Sequence, residues 1–184
     1  MKIYWLNSIR SYRNKLYTQT QSLHIQYVGI CRVLYMTMQN KYMQIALDEA
    51  RLAALEGEVP VGAVIVKDGT VISAAHNMCE TKQNSLLHAE IIAINDAMKA
   101  LGTSRLNGCD IYVTLEPCAM CCGAISHARL SRLYFGAYDK IGGCAVSNKN
   151  LFDSDSPLNT IELYCGISED LCSDLLKEFF KKLR

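Results

Sequence analysis

The chain has 184 residues, half of them hydrophobic, and a formal net charge of +1, which fits one domain with a sizeable buried core. No uninterrupted apolar run approaches the roughly 20 residues of a membrane helix, and low-complexity tracts are absent. Nine cysteines in a chain without a secretory signal, an odd number that cannot pair fully within one molecule, point to reduced thiols and metal binding in a reducing, cytoplasmic compartment.

The first 47 residues hold six of the 19 basic residues (Lys2, Arg10, Arg13, Lys15, Arg32 and Lys41) and none of the 18 acids, which leaves residues 48–184 with a net charge of −5. An acid-free, basic, hydroxyl-rich start resembles an organelle transit peptide, and organelle import follows only if this arm is translated. The simpler reading places the start at Met36 or Met38. Residues 1–37 are then a weakly ordered, dispensable extension, and 38–184 form the functional domain.

From Lys41 to Leu55, the apolar residues Met43, Ile45, Ala46, Ala50, Leu52, Ala53 and Leu55 suit an amphipathic helix that Gly57 ends. Residues 59–66 (VPVGAVIV) and 71–75 (VISAA) form a hairpin across the turn signal Lys67-Asp68-Gly69-Thr70. A second helix runs from His88 to Leu101. Strands are predicted over 110–115 and 131–135, with a helix-sized segment, 118–128, between them. A short strand over 161–164 precedes a last helix from Ser168, acidic in its first turn and ending in Lys181, Lys182 and Arg184. Alternating strands and helices imply a sheet with helices on its faces.

The chemistry lies where two helices begin. His88-Ala89-Glu90 opens one, and Pro117-Cys118-Ala119-Met120-Cys121 opens the next. A C-x-x-C pair and a distant histidine give three N/S ligands, which suit zinc, and three protein ligands leave the fourth position for water as catalytic sites do. Helix N-termini favour the thiolates, and coordination can lower the pKa of water from about 15.7 to about 7. In mid-helix, His88 and Glu90 would point to nearly opposite faces. They must therefore sit at the helix start, where Glu90 can take a proton from the activated water and pass it on. An H-x-E with a P-C-x-x-C is the pattern of the zinc-dependent base deaminases.

Over residues 41–182 the chain resembles the bacterial tRNA adenosine deaminases. The resemblance is carried by GEVPVGAVIV at 57–66, Asn77, HAE at 88–90, TLEPCAMCCGAI at 114–125, RLSRLYFGAYD at 129–139 and KEFFKKL at 177–183. It implies a three-layer α/β/α, cytidine deaminase-like fold around a mixed five-stranded sheet, one zinc per subunit, and a homodimer. It also implies conversion of the wobble adenosine of an arginine tRNA to inosine. By the same resemblance, Asn77, with Glu58 and Ala89 nearby, meets the base, and Asp139 lies in the loop beside the flipped nucleotide. Because residues 48–184 are net negative, RNA contact is left to local patches, with Lys181, Lys182 and Arg184 beside Phe179 and Phe180 as the best candidate and Lys140 and Lys149 as others. The chain departs from the family between Leu151 and Cys165, where Asn159-Thr160-Ile161-Glu162 replaces a basic stretch.

Each of these residues has a plainer reading. Asn77 could close a turn and Asp139 could cap a loop. The lysines at the C-terminal end could be a solvated helix end, and Cys118 and Cys121 could be a redox pair or a structural zinc knuckle. Cys122 reads as a buried small side chain. Two other functions stand beside RNA editing. One is deamination of a small molecule such as guanine, cytosine or dCMP, and the other is a noncatalytic partner role, against which Glu90 argues.

Overall fold

In a computed structural model of the chain, residues 41–153, 158 and 161–183 are described. The basic extension 1–37, the alternative start sites and Arg184 lie outside them. The elements are α1 (41–55), β1 (Gly62–Lys67), β2 (Thr70–His76), α2 (Ala89–Leu101), β3 (Cys109–Leu115), α3 (Ala119–His127), β4 (Arg132–Ala137), β5 (Glu162–Tyr164) and α4 (Glu169–Lys182). All the predicted elements are present. The largest difference is in β1, which starts at Gly62, three residues after the predicted start, because the Val61 N–H turns back to the Val59 carbonyl; β4 runs two residues past its predicted end, where Gly136 and Ala137 stay buried and Ala137 pairs with Leu115.

The sheet has five strands in the order β2-β1-β3-β4-β5. β1 is antiparallel to both neighbours, whereas β3, β4 and β5 are parallel. Asp68 and Gly69, both at positive φ, make the two-residue β1–β2 turn, the geometry that D-G supplies in hairpins. Because side chains alternate along a strand, the sheet divides two cores. Ala63, Ile65, Ile111, Val113, Leu133 and Phe135 face α2 and α3. Val64, Val66, Tyr112 and Tyr134 face α1 and α4.

On the α1/α4 face the register sets Tyr112 beside Tyr134 and Tyr134 beside Tyr164. Their rings stack with centroids 4.4 and 4.5 Å apart, and Tyr42 of α1 joins at 5.2 Å. The spacing is close to that of neighbouring strands, so the ladder follows from the pairing. On the other face, Ala89, Ala93 and Ala97 recur every four residues and are fully buried, which lets α2 lie close to the sheet. The Ser73 hydroxyl fastens it there by donating to the Ala93 carbonyl at 2.7 Å.

α1 crosses β1 at Gly62, where a Cβ would overlap the Ala46 carbonyl oxygen and lie 2.8 Å from the Ala50 nitrogen. Both are backbone atoms and cannot rotate away. Gly62→Ala is therefore expected to lower unfolding stability in urea by about 2 kcal/mol or more. Gly123→Ala, at a position of α3 with nothing within 4 Å of the added carbon, should raise it by about 0.5–1 kcal/mol.

Candidate metal centre and its cleft

The carboxyl ends of β2, β3 and β4 share one edge of the sheet, and the site forms there. β3 ends at Leu115 and passes through Glu116 and Pro117 into α3, so Cys118 is the extended residue that caps α3 and Cys121 lies in its first turn. His88 caps α2 in the same way (φ −70°, ψ 151°), and Glu90 follows within the first turn. The backbone turns from extended to helical between them, and so His88 and Glu90 both reach one cleft despite being two residues apart.

His88 Nδ1 lies 3.7 Å from Cys118 Sγ and 3.5 Å from Cys121 Sγ, and the three ligand atoms all lie within 4.8 Å of one another. Zinc bonds of about 2.0–2.1 Å to nitrogen and about 2.3 Å to sulfur put tetrahedral N and S ligands roughly 3.5 Å apart. The triad fits a zinc ion. Among themselves the three groups share protons unequally. Hydrogen bonds from Cys121 and then from His88 bring the Cys118 thiol down to about 4. Contact with Cys118 raises the His88 pKa, while contact with Cys118 and burial push the Cys121 thiol far up. A bound cation would take the place of the proton that Cys121 holds. Glu90 is 3 % exposed, and burial raises its pKa, opposed in part by His88.

His88, Cys118 and Glu90 open on a cleft of about 620 Å³ that Glu58, Asn77, Glu116 and Asp139 also line, with Cys121 buried behind them. The Asn77 side-chain oxygen accepts the Ala89 N–H at 2.9 Å, which ties the end of β2 to the start of α2 and leaves the amide NH2 as the side chain's donor. Ala89 is fully buried and its N–H is committed to Asn77, so the structure gives it a part in placing Asn77. Glu58 accepts the Thr81 N–H at 2.7 Å. Burial alone would raise its pKa, but the N–H groups of Thr81, Glu80 and Cys79 outweigh that and hold it below 4.5. It thereby pins the β2–α2 loop. Asp139 Oδ1 accepts from Ile141 and Gly142 N–H at 2.9 and 3.0 Å, so the loop-capping reading of Asp139 and its place at the cleft hold together.

Other expected residues are not brought to the cleft. Lys140 is exposed beside Asp139, and Phe179, Phe180, Lys181 and Lys182 lie at the end of α4, whose packed face meets the opposite core. Phe180 and Lys181 line a separate groove with Leu176 and Lys177. Cys122 is buried, its thiol donating to the Pro117 carbonyl at 3.5 Å. Sequence reasoning passed over Glu116, although a carboxylate between an apolar strand and Pro-Cys is itself a signal. It also passed over Gln83, Asn84 and Ser85, which line the cleft in a loop without periodicity.

Residues 36–137 match the family described as the cytidine and deoxycytidylate deaminase zinc-binding region. The tRNA-specific adenosine deaminase of Bacillus subtilis (strain 168) is 46% identical over 149 residues, which cover 81% of this chain and 92% of that protein. That of Rickettsia typhi (strain ATCC VR-144 / Wilmington) is 50% identical over 144 residues, covering 77% and 97%. A structure solved in work on A-to-I editing by tRNA:A34 deaminases at the wobble position of transfer RNA superposes with a TM-score of 0.70 at 44% identity, covering 74% of this chain and 99% of that one.

A carboxyl held below its ordinary value stabilises the fold above that value and loses the contribution as pH falls through the lowered one. Glu58→Gln should therefore reduce stability at neutral pH and flatten its decline from about pH 5 to 3, read from urea midpoints across pH. An acid limb as steep as that of the unsubstituted chain would refute this role.

Proposed function

Because this chain belongs to the tRNA-specific adenosine deaminases, zinc-binding relatives of the cytidine and deoxycytidylate deaminases, we propose that it converts adenosine to inosine at the wobble position of a tRNA anticodon. The observation that carries this reading is the meeting of His88, Cys118 and Cys121 with the buried carboxyl of Glu90 at one cleft. His88, Cys118 and Cys121 hold one zinc per subunit, which supplies a Lewis acid that makes water nucleophilic near neutral pH.

Glu90 moves the protons. It takes one from the attacking water as the C6–O bond forms and delivers it to N1 of the base. A second passes from the new hydroxyl to the exocyclic amine as the C6–N6 bond breaks, and ammonia leaves. Burial raises the Glu90 pKa, which brings it closer to the working pH, where a group that must both accept and donate is most effective. Asn77 is the candidate for holding the base by its amide NH2, with Glu58 and Ala89 supporting it. Asp139 shapes the loop beside the nucleotide. An anticodon loop suits the site because an exposed base costs little to flip.

The body of the protein is net negative, so RNA is met by local patches. Lys140 and the α4 end, with Phe179 and Phe180 in edge contact at 5.4 Å beside Lys181 and Lys182, are those we propose. An arginine tRNA as substrate, a homodimer and a cytoplasmic location rest on the family resemblance. No helix among the described residues is long and apolar enough to cross a membrane.

Incubation of the zinc-loaded chain with an arginine tRNA, followed by sequencing for inosine, is expected to show conversion at the wobble position. Absence of conversion together with turnover of a free nucleobase would replace this reading with the small-molecule one. Glu90→Gln should keep its zinc and lose about 10²–10⁴-fold in kcat. Cys118→Ala should bind well under one zinc per chain, and stripping zinc with a chelator should lower the Tm of the unsubstituted protein.

A further inference from the structure

Glu116 is 2 % exposed and ionisable, yet no basic side chain appears among its bonded partners. Its two oxygens are taken up by a single loop. One accepts the N–H groups of Val146 and Ser147 at 2.9 and 2.8 Å. The other accepts the Asp139 N–H at 3.1 Å and the Ser147 hydroxyl. A buried carboxylate left without such donors would be costly to the fold, and the loop would lose the acceptor that fixes its part-buried N–H groups. Carboxylate and loop therefore each depend on the other.

The clamp lies between two parts of the cleft. On its own strand Glu116 is two residues before Cys118. The loop it holds begins at Asp139 and returns to the strand end, where Gly143 pairs with Cys118 and the Cys144 N–H donates to the Pro117 carbonyl at 2.9 Å. The fit leaves no room for a side chain. A Cβ on Gly143 would lie 2.5 Å from the Asp139 carbonyl oxygen and 2.5 Å from the Glu116 carboxyl. Asn148 closes the turn from outside by donating to the carbonyls of Ile141 and Gly143 at 3.2 and 2.9 Å.

We propose that Glu116 is a positioning residue for the substrate, which fixes the 139–147 loop and through it Asp139 as the second wall of the cleft, without touching the reacting atoms. This rests on the tRNA reading above. Because the carboxylate is saturated by the loop, its effect on the reaction passes through Asp139 and should appear in substrate affinity.

The test is Glu116→Gln in the full chain. The amide keeps one accepting oxygen, but its NH2 must face either the N–H groups of Val146 and Ser147 or that of Asp139, so half the clamp is lost. Expected are zinc content equal to that of the unsubstituted protein, faster amide hydrogen exchange on the side that the NH2 faces, at Val146 and Ser147 or at Asp139, and a roughly tenfold fall in kcat/KM for an anticodon stem-loop, carried mainly by KM. Ser147→Ala removes only the hydroxyl donor and should give a smaller change in the same direction, which serves if Glu116→Gln does not fold. An unchanged KM with faster exchange would overturn the proposal, and so would a joint loss of zinc and kcat, which would make Glu116 a brace for Cys118. An unsubstituted chain that binds zinc but edits no stem-loop would sink the tRNA reading instead, and the exchange rates would still decide whether the clamp exists.

Discussion

For His88 Nδ1 to stand 3.5 Å from Cys121 Sγ, α2 and α3 must both begin at one edge of the sheet. The strand directions bring this about. β1 is antiparallel to both β2 and β3, so β2 and β3 run the same way, and each is followed by a helix that starts at its carboxyl end. β4 is parallel to β3, and it delivers Tyr138 and Asp139 to the same edge. β1 runs the other way, and so it is its beginning, with Glu58 just upstream, that arrives there. One topological arrangement therefore assembles ligand, proton carrier and both walls of the cleft, at the carboxyl ends of strands where open α/β sheets commonly bind ligands.

Loops at such an edge have no ladder to hold them, and here two buried carboxylates take on that task. Glu58 accepts from the loop between β2 and α2, and Glu116 accepts from the loop after β4. In both cases the bonds that the carboxylate accepts come from backbone N–H groups, joined at Glu116 by the Ser147 hydroxyl, and not from lysine or arginine. The choice matters in a cleft meant for a polyanion. Basic partners at these positions would add positive charge to the walls but would fix no backbone, whereas an acceptor of several N–H groups orders a whole turn. The gain is rigidity near the chemistry, where small misplacements are costly.

The sequence made the regular parts of this arrangement legible because hydrophobic periodicity reports burial, and burial decides the helices and the sheet. The triad was legible for another reason. H-x-E sets the histidine and the carboxyl, and C-x-x-C the two thiols, within single turns, so local spacing carried most of the geometry and only the pairing of the two helix starts had to be supplied by the fold. Glu116 and the Gln83–Ser85 rim escaped because their roles depend on contacts 23–31 residues away or on a loop with no repeating pattern. Ala89 was placed near the base, but its N–H is held by Asn77. A backbone partner of this kind cannot be read from residue type. The aromatic and basic end of α4 was legible as a patch, but the placing of the helix on the far face of the sheet, through Cys172, Leu175 and Leu176, was not.

The same closeness that makes the centre work also makes it unstable as a set of acids. Glu90, Cys118 and Cys121 crowd one imidazole, and Cys118 and Glu90 both raise the cost of ionising Cys121, while the Cys121 thiol favours the Cys118 thiolate by donating to it. Cys118 can form a thiolate only while Cys121 keeps its proton, and Glu90 is held towards its neutral form by burial. Hydrophobic substitutes would pack with less strain on the electrostatics. A divalent cation changes the balance, since it compensates two thiolates at once and makes full ionisation of the pair favourable. Glu90 is not among the three ligands, so it stays outside the set of groups that the cation would compensate directly. The proposed division between the residues that hold the metal and the one that moves protons thus rests on charge as much as on geometry. Two thiolates and an imidazole are donors enough to hold zinc, and on the proposed reading this leaves the Glu90 carboxylate, two residues from His88, free to exchange protons.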